Sequence, residues 1–230
     1  MKLAKNLERL GTETAFSVLA EAKKLEAQGK EMIHLGLGQP DFKTPQHIMD
    51  AAKKAIDDGH HGYVLANGIL ECRQSVSRKI KSLYKKDIDP ERIMIMPGGK
   101  PTMYYAIQMI GEPGAEIVHP TPGFPIYESM INYTGAKAVP YDLTKEKDLK
   151  FDPEKILSLI TDKTRLVILI NPNNPTGSFV EKSAIDFSAV DLQKHPQDYI
   201  WSDEIYSRQS FDGKAMPTFF NYPDLPERLI

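Results

Sequence analysis

Three short stretches concentrate the residues whose types and spacing could do chemistry. The first is Pro97-Gly98-Gly99-Lys100, followed by Pro101 at the start of an apolar, helix-like segment. Adjacent glycines let a backbone come close to an anion, and a helix start offers free N–H groups and the positive end of a dipole. A phosphate is the natural guest, although Gly-Gly also makes ordinary turns. The stretch is not a nucleotide P-loop, because Met94 stands where the first glycine belongs and Pro101 where a serine or threonine is needed. Nor is Gly36-Leu37-Gly38 a dinucleotide fingerprint, since Asp41 occupies the third glycine position. The second stretch is Asn171-Pro172-Asn173-Asn174-Pro175-Thr176-Gly177. Two prolines stiffen it more than a connector requires, which suits a loop that must aim one amide side chain. The third is Ser202-Asp203-Glu204-Ile205-Tyr206, a carboxylate with a phenol three residues on. Taken singly, such an acidic strand end is commonly a helix cap or a salt-bridge partner.

All three stretches need elements to hold them. Phe16, Leu19, Ala20 and Lys23 fall at helical spacing, so residues 12–28 are predicted helical with Gly29 as the stop. Residues 31–37 are a short apolar stretch broken at 38–42. Thr44 and Pro45 open a second helix to about residue 58, and 62–68 is a loop. Ile69, Arg73, Val76, Ile80 and Leu83 mark a third. Strands are then expected at 93–96, 116–119, 138–141, 165–170 and 199–202. Helices are expected at 101–110, 126–133, from Asp152-Pro153 onward, and at 181–194. Strands separated by helices imply parallel crossovers and a sheet covered on both faces, an α/β architecture. In such sheets ligands sit at the carboxyl ends of strands, where all three stretches fall. Residues 228–230 read as the opening of another buried strand, so the sequence is expected to be the N-terminal part of something longer.

Composition narrows the partners. The chain has 230 residues, 41% hydrophobic and 26% charged, which is ordinary for a globular protein. Lys and Arg number 29 against 31 Asp and Glu, a net charge of -2, so no basic footprint marks it for nucleic acid or an anionic membrane. Its single cysteine, Cys72, excludes an intrachain disulfide and a cysteine-built zinc site, and no metal is expected. Charges at Lys2, Lys5, Glu8, Arg9 and Glu13 interrupt any secretory apolar core. The longest clean apolar run, 166–170, is far shorter than the roughly 20 residues a membrane helix needs. A cytoplasmic location is expected.

Taken together, Gly98-Gly99-Lys100, Asn174 in its Asn-Pro-Asn-Asn-Pro-Thr-Gly segment, Asp203 and Tyr206 resemble, in order and spacing, the fold-type I pyridoxal-phosphate (PLP) enzymes, specifically the class I/II aminotransferases. The resemblance implies an aspartate aminotransferase-like α/β/α sandwich with a mostly parallel sheet, truncated at its C-terminus. Residues 1–45 would form an N-terminal arm and part of a small domain, and 46–230 the first portion of the large, cofactor-binding domain. By the same resemblance, Gly98, Gly99 and Lys100 would cradle the cofactor phosphate, and Phe124 would stack on its ring. Asn174 and Tyr206 would bond the ring's phenolic oxygen, and Asp203 would keep the ring nitrogen protonated. Gly38 would lie beside the substrate carboxylate, and Tyr63 would reach across a homodimer to the neighbouring phosphate. Asp203 and Tyr206 would be the catalytic members present. The imine-forming lysine and the arginine that clamps the substrate carboxylate would lie beyond Ile230, leaving the 230-residue chain inactive alone. The implied activity moves an amino group between an amino acid and a 2-oxo acid. A carbon–sulfur lyase of the same fold, or a non-catalytic sensor or dimerisation module, is the alternative.

Overall fold

The apolar run 166–170 is long enough for a strand and too short for most helices, and β-branched residues fill part of it. In the structure, a computed structural model, it forms β3 (Thr164–Ile170). Described are residues 2–11, 14–143, 149, 151–211, 213, 215–222, 225 and 227–230. Residues 12 and 13 of the first expected helix therefore lie outside the described set. Strand β3 is flanked by β1 (Glu116–Thr121) and β4 (Tyr199–Asp203), and β2 (Lys137–Asp142) lies outside β1. The order is β2-β1-β3-β4 and every pair is parallel.

The period-2 alternation of strand side chains decides which residues build which layer. Val167 and Leu169 of β3 join Val118, Ile200, Ile185 and Leu192 in one apolar cluster. Leu166, Ile168 and Ile170 join Ile117, Ile107, Ile131 and Trp201 in the other. Helices α6 (Pro153–Leu157) and α7 (Lys182–Leu192) contribute to the first cluster. Helices α4 (Gly99–Ile110) and α5 (Pro125–Thr134) contribute to the second. Burial on both faces explains why β3 is apolar at consecutive positions and does not alternate.

Local chemistry sets the helix ends. Asp152 caps α6, its carboxylate accepting from the Lys155 N–H at 3.2 Å. Helix α5 opens on Pro125 and stops at Gly135, whose φ of 89° suits the left-handed cap. Its last carbonyls, those of Asn132 and Tyr133, accept from the Arg9 guanidinium at 2.8 Å each. Helix α4 begins at Gly99, two residues earlier than expected. Pro101 is tolerated there because the first turn of a helix has no use for its missing N–H.

Contacts divide the chain into two compact units. The one just described comprises Met1–Thr12, Arg78–Ile88 and Met96–Ile230. The second comprises Glu13–Ser77 and Asp89–Ile95, and holds α1 (Thr14–Ala27), α2 (Gln46–Asp57) and the first half of α3 (Leu70–Tyr84). Within this unit Arg73 is buried, donating to the carbonyls of Gly68 and Pro90 and to the Glu91 carboxylate at 2.7–3.1 Å. Gly68, at φ +93°, packs so closely on Ile95 that an added Cβ would lie 2.9 Å from it.

One expected strand is absent. Residues 93–96 form no ladder among the described residues; the Ile95 N–H bonds the Asn67 carbonyl instead, at 3.1 Å, and Met94 is exposed. Four apolar residues are too few to distinguish a strand from an extended connector, because a strand exists only through its neighbours' hydrogen bonds. Residues 228–230 do pair. Leu229 forms a parallel bridge with Ile200, and Ile230 exchanges bonds with Ile200 and Ser202 at 2.8–2.9 Å. Among the described residues no helix is long and apolar enough to cross a membrane.

Candidate functional site

Because the strands are parallel, β3 and β4 end at the same edge of the sheet, with Ile170 opposite Asp203. The Asn171 N–H continues the ladder one step, donating to the Asp203 carbonyl at 2.9 Å. Asp203 is half-buried. Its Oδ1 accepts from the Ile205 N–H at 3.2 Å and its Oδ2 from the Tyr127 hydroxyl at 2.6 Å. It makes no salt bridge among the described residues, so its charge is held by neutral donors. Tyr127, in the first turn of α5, is 1% exposed. Burial, and then the neighbouring Asp203 charge, push its phenol far above the ordinary tyrosine range, so it stays protonated and donates.

The proline-rich loop after β3 divides its three asparagines by role. Asn171 is buried and its Oδ1 accepts from the Val180 N–H at 3.0 Å. Asn173 is buried too, its Oδ1 accepting from the Thr176 N–H and hydroxyl at 3.2 and 2.8 Å. These two brace the loop. Asn174 lies over the end of the sheet, and its Nδ2 donates to the Tyr206 hydroxyl across 3.4 Å. Tyr206 itself sits in the turn after β4, where the Ser207 N–H bonds the Glu204 carbonyl at 2.9 Å and the Gln209 N–H bonds that of Tyr206 at 2.8 Å.

Gly98, at φ +97°, leads into the N-terminus of α4 with Gly99 and Lys100 as its first residues. No side chain caps this end. Its first N–H groups, with the positive end of the helix dipole, suit an anion. Phe124 immediately precedes α5, with the Lys100 ammonium 5.9 Å from its ring centroid. Gly123 holds that corner: a Cβ there would lie 2.5 Å from the Pro120 carbonyl oxygen.

These residues share one cavity of about 330 Å³, lined by Gly99, Lys100, Phe124, Asn174, Asp203 and Tyr206. Ile170 and Trp201 supply part of its apolar wall. That volume falls at the lower end of the roughly 300–1,000 Å³ usual for small-molecule sites. Three expected groups therefore meet: the glycine turn, the asparagine loop and the carboxylate end of β4. Gly38 and Tyr63 belong to the second unit, where both are exposed. No cluster suited to a metal ion occurs among the described residues.

Two positioning groups escaped the sequence reading. Tyr127 lies 76 positions from the carboxylate it serves, and no spacing rule links them. Glu204 turns away from the cavity lining and accepts from the hydroxyls of Thr218, Ser202 and Tyr84 at 2.7, 3.0 and 3.3 Å. Burial raises its carboxyl above the usual range, and burial with the Glu204 charge pushes the Tyr84 phenol up to about 12. The proline opening α5 at Pro125 was the one local signal that Tyr127 stands in a fixed first turn.

The comparisons agree with this arrangement. The family described as Aminotransferase class I and II matches residues 30–229. The aspartate aminotransferase of Bacillus subtilis is 34% identical over 214 residues, covering 93% of this chain and 54% of that protein. An aspartate/prephenate aminotransferase of Nitrosomonas europaea is 30% identical over 231 residues, covering 100% of this chain and 58% of its own length. Among solved structures, the aspartate aminotransferase of Thermus thermophilus with maleate superposes with a TM-score of 0.92 at 28% identity, covering 100% of this chain and 59% of that one. The chain thus spans little more than half the length of these relatives, and it shares their fold over that span. It belongs to the class I and II aminotransferases.

Proposed function

We propose that the chain is the N-terminal part of a pyridoxal-phosphate-dependent aminotransferase that moves an amino group between an amino acid and a 2-oxo acid. The observation that carries this reading is Asp203: a carboxylate held by two neutral donors and in no salt bridge among the described residues, in a cavity that also contains a helix N-terminus with no side-chain cap. A phosphate at one end of a ligand and a protonated ring nitrogen at the other would satisfy both. The donor set therefore fits PLP.

The residues then divide the work. The N–H groups opening α4 at Gly99 and Lys100 hold the phosphate dianion through fixed dipoles, and Gly98, whose own N–H bonds the Met96 carbonyl at 2.8 Å, shapes the turn that cradles it. Phe124 covers one face of the ring and excludes water from it. Asn174 and Tyr206 hold the ring's phenolic oxygen, their side chains already in contact. Asp203 keeps a proton on the ring nitrogen, because releasing it would leave the half-buried carboxylate without a cation. Bound there, PLP supplies an electron sink for charge developing at the substrate's α-carbon. Gly38 belongs to the substrate side, beside its carboxylate. Tyr63 is assigned to the phosphate of a second copy of the chain in a homodimer. The division at residues 1–45 and 46–230 and a cytoplasmic location are part of the same proposal. The imine-forming lysine and the carboxylate-binding arginine are assigned to sequence following Ile230, so the 230-residue chain alone is expected not to transaminate.

The test uses the full-length protein loaded with PLP. Mixing with an amino acid should convert the bound cofactor to its amine form, and a 2-oxo acid should restore it. Release of ammonia and a 2-oxo acid without the amine form would replace the aminotransferase reading with a lyase. No spectral response to any amino acid would leave a binding module.

A further inference from the structure

We propose that Tyr127 is a positioning residue that orients Asp203 and thereby makes the site select a ligand with a protonated ring nitrogen. The inference rests on the PLP reading above and assigns to it a residue that is not among those lining the cavity.

The geometry is specific. The Tyr127 hydroxyl and Asp203 Oδ2 are 2.6 Å apart, within the roughly 2.5–2.7 Å usual for a hydroxyl donating to a carboxylate. The phenol is locked in place. It is 1% exposed, lies in the apolar cluster with Ile131 and Ile170, and meets the Trp201 ring edge-on at 6.1 Å and 73°. Trp201 is also a wall of the cavity, so the phenol stands directly behind the site without lining it. Among the described residues Asp203 is the acceptor of its proton.

The consequence concerns charge as much as direction. One carboxylate oxygen is held by the Ile205 N–H from the same turn, the other by Tyr127 from a helix on the far side of the chain sequence. Two donors from different elements fix the plane of the carboxylate. Because both are neutral, its negative charge is left over for the ligand. A phenylalanine would fill the same apolar volume but leave one oxygen unheld, free to rotate or to take up water. Volume alone thus gives no reason for the hydroxyl, and the carboxylate does.

The experiment compares Tyr127→Phe with the wild type in the full-length protein, using two probes: PLP, and its deaza analogue in which C–H replaces the ring nitrogen. The wild type should bind PLP more tightly than the analogue. Tyr127→Phe should lose about tenfold in PLP affinity, the equivalent of about 1.4 kcal/mol, keep its affinity for the analogue within about twofold, and shift the absorbance band of bound PLP. Equal losses for both probes would mean that Tyr127 only packs the site, and no loss for either would mean that it does nothing there. Both results overturn the inference. A wild type that binds both probes equally, or neither, would overturn the PLP reading itself and this inference with it. Should Tyr127→Phe fail to fold, fluorotyrosine incorporated at position 127 keeps the hydroxyl and makes it a stronger donor. The PLP band must then move, and an unmoved band is equally fatal.

Discussion

Asp203 and Asn174 face one cavity yet should respond to substitution very differently, because one carries a charge and the other a single amide contact. In the full-length enzyme Asp203→Ala should lower kcat by orders of magnitude while PLP is still held at its phosphate end. Near wild-type turnover would remove Asp203 from the ring nitrogen. Asn174→Ala deletes one hydrogen bond, worth about 1–3 kcal/mol. It should chiefly move the pH titration of the bound cofactor's absorbance, and an unmoved curve counts against its contact with the phenolic oxygen. The asparagines beside it predict the opposite pattern. Asn171 and Asn173 spend their side-chain oxygens on the loop's own backbone and hydroxyls, so their loss should register as stability and not as spectrum.

The elements that carry these residues are held by steric and electrostatic features that can be changed one at a time. The corner between β1 and α5 admits only glycine at position 123, where a Cβ would sit 2.5 Å from a backbone oxygen that cannot swing away. Gly123→Ala should therefore cost roughly 1–3 kcal/mol, and by displacing Phe124 it should weaken PLP binding as well. Thermal melts and a PLP titration on the same preparation check both. At the other end of the sheet, Asp198 precedes β4, fully buried, with neither carboxylate oxygen hydrogen-bonded among the described residues. Burial lifts its carboxyl from 3.8 to about 6, against the opposing pull of His195, Arg165 and Arg228. A carboxyl whose pKa is higher folded than unfolded stabilises fully below its unfolded value and loses that contribution as pH rises through the folded one. The folded chain should thus lose up to about 3 kcal/mol between pH 4 and pH 7. Asp198→Asn should raise the melting temperature at pH 7 and leave it little changed at pH 4. A pH-independent effect would show that Asp198 is not the titrating group.

For the molecule as a whole, the most informative surface is apolar. Tyr63, Val64, Leu65, Leu35 and Phe42 of the second unit all present most of their side chains to solvent. Of these, Tyr63, Val64 and Leu65 are consecutive in the chain, and a run of exposed apolar residues suits a surface that meets another protein surface. If Tyr63 reaches the phosphate of a second copy, Tyr63→Phe in the full-length protein should weaken PLP retention several-fold while sedimentation still reports a dimer. Unchanged PLP affinity, or a monomer that binds PLP normally, would break the assignment.

The amino-acid sequence alone determined the alternation of strands and helices, the parallel sheet and the three loaded loops. Each depends on local rules: apolar period, proline at helix starts, glycine where a backbone must turn. Even Arg73, counted only as a beat in a helical rhythm, lies on the buried face of α3. Where those rules depend on a distant partner they fail. Residues 93–96 have strand composition but no ladder among the described residues, and the sequence could not say which neighbours would be there. The same limit hid Tyr127 and Glu204. Their importance lies in one phenol donating to a carboxylate 76 residues away and in one carboxylate gathering hydroxyls from Tyr84, Ser202 and Thr218. Such contacts are created when the sheet brings strand ends together, and local composition carries no trace of them. Which loops carry chemically loaded residues was therefore written in types and spacing; that Gly99, Lys100, Asn174, Asp203 and Tyr206 line one cavity, and how Asp203 is held there, was decided only by tertiary packing.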